Sequence, residues 1–86
     1  MQKLERQLKA LANRRRLAIL EHLKKHPEAS VGEIASKIKL SFKSTSKHLV
    51  ILAAQDIVER EQRSLQMFYR LTTNLSPAAK HILSLL

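Results

Sequence analysis

The chain has 86 residues but no cysteine, no tryptophan, one glycine and two prolines. Without cysteine it can form neither disulfide bonds nor metal sites built from thiolates. No segment is long and apolar enough to span a bilayer, and no signal-peptide pattern opens the sequence, so we expect a cytoplasmic protein with no membrane partner. Two Phe and one Tyr offer few rings for stacking bases, which disfavours RNA binding.

Acidic residues are also scarce, and this scarcity indicates the class of partner. Seven Asp and Glu stand against 16 Lys and Arg, which gives a formal net charge of +9. No acidic residue occurs between Glu33 and Asp56, a region that holds Lys37, Lys39, Lys43 and Lys47. Such an uneven balance favours a polyanion. The charge by itself therefore indicates a polyanionic partner.

The length allows one domain, residues 1–86, with a thin core that association would help to cover. Leucines at spacings of four and three predict a first helix over residues 2–11. Asn13 is a suitable N-cap for a second helix. That helix should end before Pro27, because the residue preceding proline is disfavoured in helical conformation.

Two short helices separated by a turn form the next unit. Ser30 and Glu33 have the spacing of a capping box at the start of the third helix. Ser41 is a suitable cap for a fourth helix over about 41–55, and the interval from Ile38 to Ser41 is long enough only for a turn. This is the pattern of a helix-turn-helix unit, whose second helix enters the major groove of DNA. Together with the positive charge, it leads us to expect double-stranded DNA as the partner and a location at the nucleoid.

Beyond the fourth helix the hydrophobic period changes from helical to alternating. Residues 57–62 and 67–71 predict two strands joined by a turn near Ser64, and Ser76–Pro77 is typical of the start of a last helix. The expected order is α-α-α-α-β-β-α. The fold class is therefore mainly α with a small β-hairpin, a winged helix-turn-helix.

Helical geometry divides the fourth helix into two faces. Thr45, Leu49 and Leu52 share one side and should pack inward. Lys43, Ser46 and Lys47 share the opposite side and should face the groove. Lysines and serines there can contact phosphates or base edges.

With this order, several blocks of the chain resemble the ArsR family of winged helix-turn-helix repressors. The blocks are Leu8–Ala12, Arg16–Leu17, Ile19–Leu20, Ser30–Ala35, Leu40–Ser41, Ser46–Leu49 with Leu52, Ile57–Val58 and Tyr69–Leu71. The resemblance implies a homodimeric repressor that reads an inverted-repeat operator through residues 41–55, with wing contacts at about 58–71. The chain departs from the family's pattern at three places: Asn13–Arg15, Ser64 in place of a wing glycine, and Thr45 in place of an apolar residue.

Residues and resemblance together predict a DNA-binding set: Ser41, Lys43, Ser44, Ser46, Lys47, His48, Arg60 and Arg63. Arg63, at the wing tip, is expected to do most of any wing binding. The excess of apolar residues in the first and last helices, which pair across the family's dimer axis, predicts a dimer interface of Leu4, Leu8, Leu11, Ile82, Leu83 and Leu86.

Three groups leave alternatives open. His48 is either packed and hydrogen-bonded or in contact with the DNA backbone. Arg14 and Arg15 either bind phosphate or extend into water, while Arg16 is as readily structural. His22 and His26 have the spacing of two zinc ligands, but two ligands do not make a site. We expect no metal and no cofactor, and any inducer is unknown.

No nucleophile–base pair or carboxylate constellation is present, so we expect no enzyme activity. The competing hypothesis is a winged-helix protein–protein interaction module with only non-specific binding of nucleic acid. Such a module would more often expose an apolar or acidic recognition helix, which Lys43 and Lys47 contradict.

Overall fold

The computed structural model describes residues 1–86 and contains five helices and three short strands. The helices are α1 (Gln2–Leu11), α2 (Arg14–Lys25), α3 (Val31–Ile38), α4 (Phe42–Ala54) and α5 (Pro77–Ser84). The strands are β1 (Ala29–Ser30), β2 (Val58–Arg63) and β3 (Gln66–Leu71). None of the helices reaches the length and apolarity that crossing a bilayer requires. The predicted winged helix-turn-helix order is confirmed, with one added strand.

The helix starts follow the local capping chemistry of the sequence. The Asn13 side chain accepts hydrogen bonds from the first turn of α2, and Ser76 caps α5 in the same way. At α3 the capping box is complete, since the Glu33 amide donates to Ser30 Oγ and the Ser30 amide donates to Glu33 Oε1. The side chains of these caps accept hydrogen bonds from first-turn amides, which have no partner inside the helix. The predicted helix starts are therefore confirmed.

The added strand is the one element that the sequence analysis missed. Ala29 and Ser30 pair with Tyr69 and Phe68 in an antiparallel register, which gives the sheet order β1-β3-β2. A strand of two residues shows no alternation, and its pairing depends on a segment far along the chain. The predicted two-stranded hairpin is thus corrected to a three-stranded sheet, which attaches the wing to the start of α3.

The core lies where α2, α3, α4 and the sheet meet. Ile19, Leu20, Ile34, Leu49 and Leu52 are all 0% exposed, and Tyr69 brings β3 into the same cluster. Thr45 is also 0% exposed, and its hydroxyl oxygen has no hydrogen-bond partner. The departure at Thr45 therefore places an unsatisfied polar atom on the buried face of α4.

Scarcity of glycine has a visible consequence in the backbone. Lys39, Asp56 and Ser64 have φ values of 57°, 56° and 55°, a left-handed conformation that normally favours glycine. Lys39 lies in the turn between α3 and α4, and Ser64 lies in the wing turn. The chain therefore makes these tight turns with residues that bear the strain of a Cβ atom.

Candidate nucleic-acid interface

Helix α4 presents the face that the sequence predicted. It begins at Ser41, whose hydroxyl accepts a hydrogen bond from the Ser44 amide at 3.1 Å. Thr45, Leu49 and Leu52 are buried and anchor the helix, whereas Lys43 and Lys47 are exposed. Ser44 and Ser46 are half-buried at the border between the two faces. The predicted inward face and the outward placement of the two lysines are confirmed, whereas Ser46, expected on the outward face, lies at its border.

The positive charge around α4 is not neutralised within the chain. None of Lys37, Lys39, Lys43 and Lys47 takes part in an ion pair. Of the two acids that flank this region, Glu33 is held in the capping box, and its hydrogen bond from the Ser30 amide lowers its pKa. The outward face of α4 is therefore a cationic surface that can attract phosphates.

His48 is held at the edge of this face by Arg16. The Arg16 guanidinium lies 3.1 Å from His48 Nδ1 and donates to the carbonyl oxygens of Ala10 at 2.5 Å and Lys9 at 3.2 Å. Since an arginine can only donate, Nδ1 accepts, and a neutral ring carries its proton on Nε2. Partial burial lowers the pKa of His48, and the nearby cations Arg16 and Arg15 lower it further.

Arg16 is therefore a structural residue that joins the end of α1 to α4. It satisfies two carbonyls in the last turn of α1, where such groups lack partners inside the helix. Arg15 is half-buried and lies 3.5 Å from the carbonyl of Ile38, while Arg14 is exposed. Of the three arginines, only Arg14 extends without a hydrogen bond from its side chain.

The comparisons with known proteins point to one family. A family model described as a helix-turn-helix domain matches residues 11–61, more than half of the chain. The chain is 41% identical over 66 residues to the transcriptional activator HlyU of Vibrio cholerae serotype O1, across 77% of this chain and 60% of that protein. It is 40% identical over 62 residues to the nodulation protein NolR of Rhizobium meliloti, across 72% of this chain and 50% of that protein.

The fold agrees with the sequence match. A solution structure of a homodimeric winged helix-turn-helix DNA-binding domain from Mycobacterium bovis, described as a possible ArsR-family regulator, has a TM-score of 0.82 at 28% identity. The aligned region covers 98% of this chain and 74% of the Mycobacterium bovis chain. The chain belongs to the ArsR family. The aligned part spans only 60% of HlyU and 50% of NolR.

The wing of this ArsR-family chain differs from expectation in how its arginines are used. Arg63, expected to be the main wing contact, donates to both carboxylate oxygens of Glu28 and to Glu61, and its guanidinium lies 4.8 Å from the centre of the Phe68 ring. These partners raise the pKa of Arg63, Glu28 most of all. Arg60 is exposed and takes part in no ion pair. Arg60 is thus the wing cation left available.

Sequence reasoning missed Glu28 because it lies 35 residues from Arg63 and only the added strand β1 brings the two together. Glu59 and Glu61, expected to repel phosphates, are paired with Arg70 at 3.0 Å and 3.3 Å. Hydrogen bonds from Arg63, and then from Arg70, lower the pKa of Glu61. The carboxylates of the wing are therefore paired with arginines of the same chain.

The six leucines and isoleucines expected at a dimer interface separate into two groups. Leu11 and Leu83 are 3% and 5% exposed, because the chain's own core already covers them, so they have little surface to offer a second chain. Leu4 and Leu8 are 41% and 44% exposed; Ile82 and Leu86 are half-buried. Leu85, at 70% exposure, joins the exposed group. Helices α1 and α5 are in contact, and we call the apolar residues that they and the C-terminus leave at least partly exposed the terminal apolar face: Leu4, Leu8, Ile82, Leu85 and Leu86.

His22 and His26 lie together at the end of α2, with ring centres 4.5 Å apart. Burial lowers the pKa of His22, and the positive charges of His26 and Lys37 lower it further. No group of three or more His, Cys, Asp or Glu side chains is arranged to hold a metal ion.

Proposed function

We propose that the chain is a sequence-specific DNA-binding transcriptional repressor that acts as a homodimer on an inverted-repeat operator. The observation that carries this proposal is the exposed, unpaired cationic face of α4. Lys43 and Lys47 stand on the outward side of a helix whose opposite side is locked into the core, so the helix is rigid where it would meet DNA. A helix that is already folded and anchored needs no ordering of its backbone on binding, which lowers the cost of association.

Contacts in the complex follow from exposure and hydrogen bonding. Lys43 and Lys47 bind phosphates or guanine acceptors, and Ser41, Ser44 and Ser46 donate to phosphates or base edges. His48 donates from Nε2 to a phosphate while Arg16 occupies Nδ1. Among the wing cations, Arg60 contacts the backbone, and Arg63 contacts it only if its bonds to Glu28 are exchanged for a phosphate.

A homodimer accounts for the terminal apolar face. Two such faces related by a two-fold axis would cover Leu4, Leu8 and the C-terminal residues that one chain leaves exposed. The solution structure from Mycobacterium bovis, homodimeric as described, supports this arrangement. Recognition helices of the two chains would then lie about 34 Å apart, on successive major grooves.

The dimer is tested by light scattering of the wild-type chain and of the Leu8→Glu variant. We expect a dimer at micromolar concentration and a monomer for the variant, because the glutamate would be buried unpaired in the apolar contact. Leu65→Glu, at a wing position that is 98% exposed, is the matched control and should remain dimeric. A wild-type monomer would contradict the proposal.

DNA reading is tested by selection from random duplexes, followed by binding measurements over a salt series. We expect an enriched inverted repeat and a log–log salt slope of about −5 for phosphate contacts of Lys43, Lys47 and Arg60 in both chains of a dimer. The Lys43→Ala/Lys47→Ala double variant should fold normally and lose most of this slope. A shallow slope with no enriched sequence would favour the protein–protein interaction module instead.

Repression needs nothing beyond occupancy, since a dimer bound over a promoter excludes polymerase. HlyU is named a transcriptional activator, so the sign of regulation has its own test: transcription in vitro from a promoter that carries the selected operator. Repression predicts that transcript falls as operator occupancy rises. The site of action is the nucleoid in the cytoplasm.

A further inference from the structure

We propose that Phe42, the first residue of α4, reads thymine by packing its ring against the C5 methyl group in the major groove. The proposal rests on the proposed function, because α4 must enter duplex DNA for the contact to form. It adds a specificity-determining residue that lies outside the polar set assigned above.

The fold makes little use of the Phe42 ring. Its side chain is 62% exposed, and it belongs neither to the core cluster nor to the partly buried apolar side chains packed against it. The start of α4 is secured instead by the Ser41 cap. Burial in the chain's own core therefore does not explain an aromatic residue at this position.

The surroundings of Phe42 select the kind of partner. At 100° per residue, Phe42 lies between the two faces of α4, with Ser46 about 40° away towards the cationic face and the buried Leu49 about 20° away on the other side. Its ring is nevertheless exposed, at the N-terminal end of the helix, and Lys43 follows it on the cationic face. Lys43 and Lys47 have no carboxylate partner within the chain. An isolated ring beside unpaired cations complements a polyanion that offers single apolar groups, not an extended apolar protein surface.

Duplex DNA offers one such group in the major groove. All four bases present hydrogen-bond donors or acceptors there, but only thymine adds a methyl group. Residues at the start of a recognition helix contact base edges. A phenylalanine has no donor or acceptor, so it cannot satisfy the polar edges and gains most where it removes a methyl group from water. The expected result is a preference for thymine at one position in each half-site.

The experiment replaces each thymine of the selected operator in turn by deoxyuridine, which removes only the C5 methyl group. Affinities are measured by fluorescence anisotropy at constant salt. At one symmetry-related pair of thymines, replacement by deoxyuridine should weaken wild-type binding about fourfold per methyl group removed. Phe42→Ala should bind the thymine and uracil duplexes equally, and Phe42→Leu should keep part of the preference.

Ile51→Ala is the matched control, since Ile51 is also an exposed apolar residue of α4 at 42% and lies about 13 Å further along the helix. It should keep the wild-type thymine-to-uracil ratio. Circular dichroism and urea midpoints check that all three variants fold.

Two results would overturn the inference while leaving the proposed function intact. One is specific operator binding that depends on no thymine methyl group, and the other is a Phe42→Ala variant with the wild-type ratio. If, in the second case, Phe42→Ala also dissociates the dimer, the ring is a contact between protein chains and does not bind thymine. Absence of any enriched operator would refute the proposed function itself, and the reading of thymine with it.

Discussion

Replacing Thr45 with valine should stabilise this protein, although the change lies in the centre of its recognition helix. Thr45 is 0% exposed, and its Oγ1 atom has no hydrogen-bond partner. A buried polar group without a partner costs about 1–3 kcal/mol. Valine keeps the branched shape and replaces the hydroxyl with a methyl group, so it removes this cost and fills the same space.

The magnitude follows from the environment. Leu49 and Leu52, on the same face of α4, are also 0% exposed, so the new methyl group enters an apolar site. We expect a gain of about 1–2 kcal/mol in the free energy of unfolding, after allowing for imperfect packing of the methyl group. For a domain of this size that raises the melting temperature by about 4–8 °C for each kcal/mol.

Urea unfolding followed by circular dichroism measures the effect, at one fixed protein concentration because a dimer's stability depends on it. Thr45→Ser should lower stability by about 1 kcal/mol, since it keeps the hydroxyl and removes a buried methyl group. Thr73→Val, at an exposed position, should change little. A Thr45→Val variant no more stable than wild type would mean that the hydroxyl has a buried partner, and would refute the reasoning.

Three further predictions concern other contacts of the structure. Arg16→Lys should lower stability by about 1–2 kcal/mol, because an ammonium group cannot make the three hydrogen bonds of the guanidinium at once, and urea unfolding beside Arg14→Ala as a control measures it. Glu28→Gln should increase DNA affinity several-fold and steepen the salt slope, since it releases Arg63 from its main partner; an unchanged slope would contradict this. Stability should fall as pH drops below about 6.5, the pKa of histidine in the unfolded chain, because the lowered pKa of His48 makes the unfolded state take up the proton first. His48→Gln should reduce that pH dependence, and an unchanged profile would contradict the assigned environment.

Local rules predicted much of the fold correctly. The caps at Asn13, Ser30, Ser41 and Ser76 are contacts between residues two or three apart, so the sequence contains all the partners they need. Alternation of side chains likewise located the strands of the wing. The strand at Ala29–Ser30 escaped prediction because two residues carry no periodic signal and the pairing segment lies far along the chain.

The candidate DNA interface was predictable to the extent that it lies on one helix. The opposite placement of Thr45 and Lys47 follows from the helical repeat alone. The roles of the arginines were not predictable in this way. Arg63 is bound to Glu28, 35 residues away, and Arg16 contacts His48, 32 residues away; no local pattern contains such pairs.

By itself, the sequence determined the helix boundaries, the two faces of the recognition helix and the excess of positive charge around it. These properties depend on neighbours along the chain and on a fixed number of residues per turn. Only the tertiary structure decided which cations remain unpaired, which terminal leucines remain exposed, and that Thr45 has no partner for its hydroxyl. Each of these depends on contacts between segments that are distant in sequence, and such contacts exist only after the chain has folded.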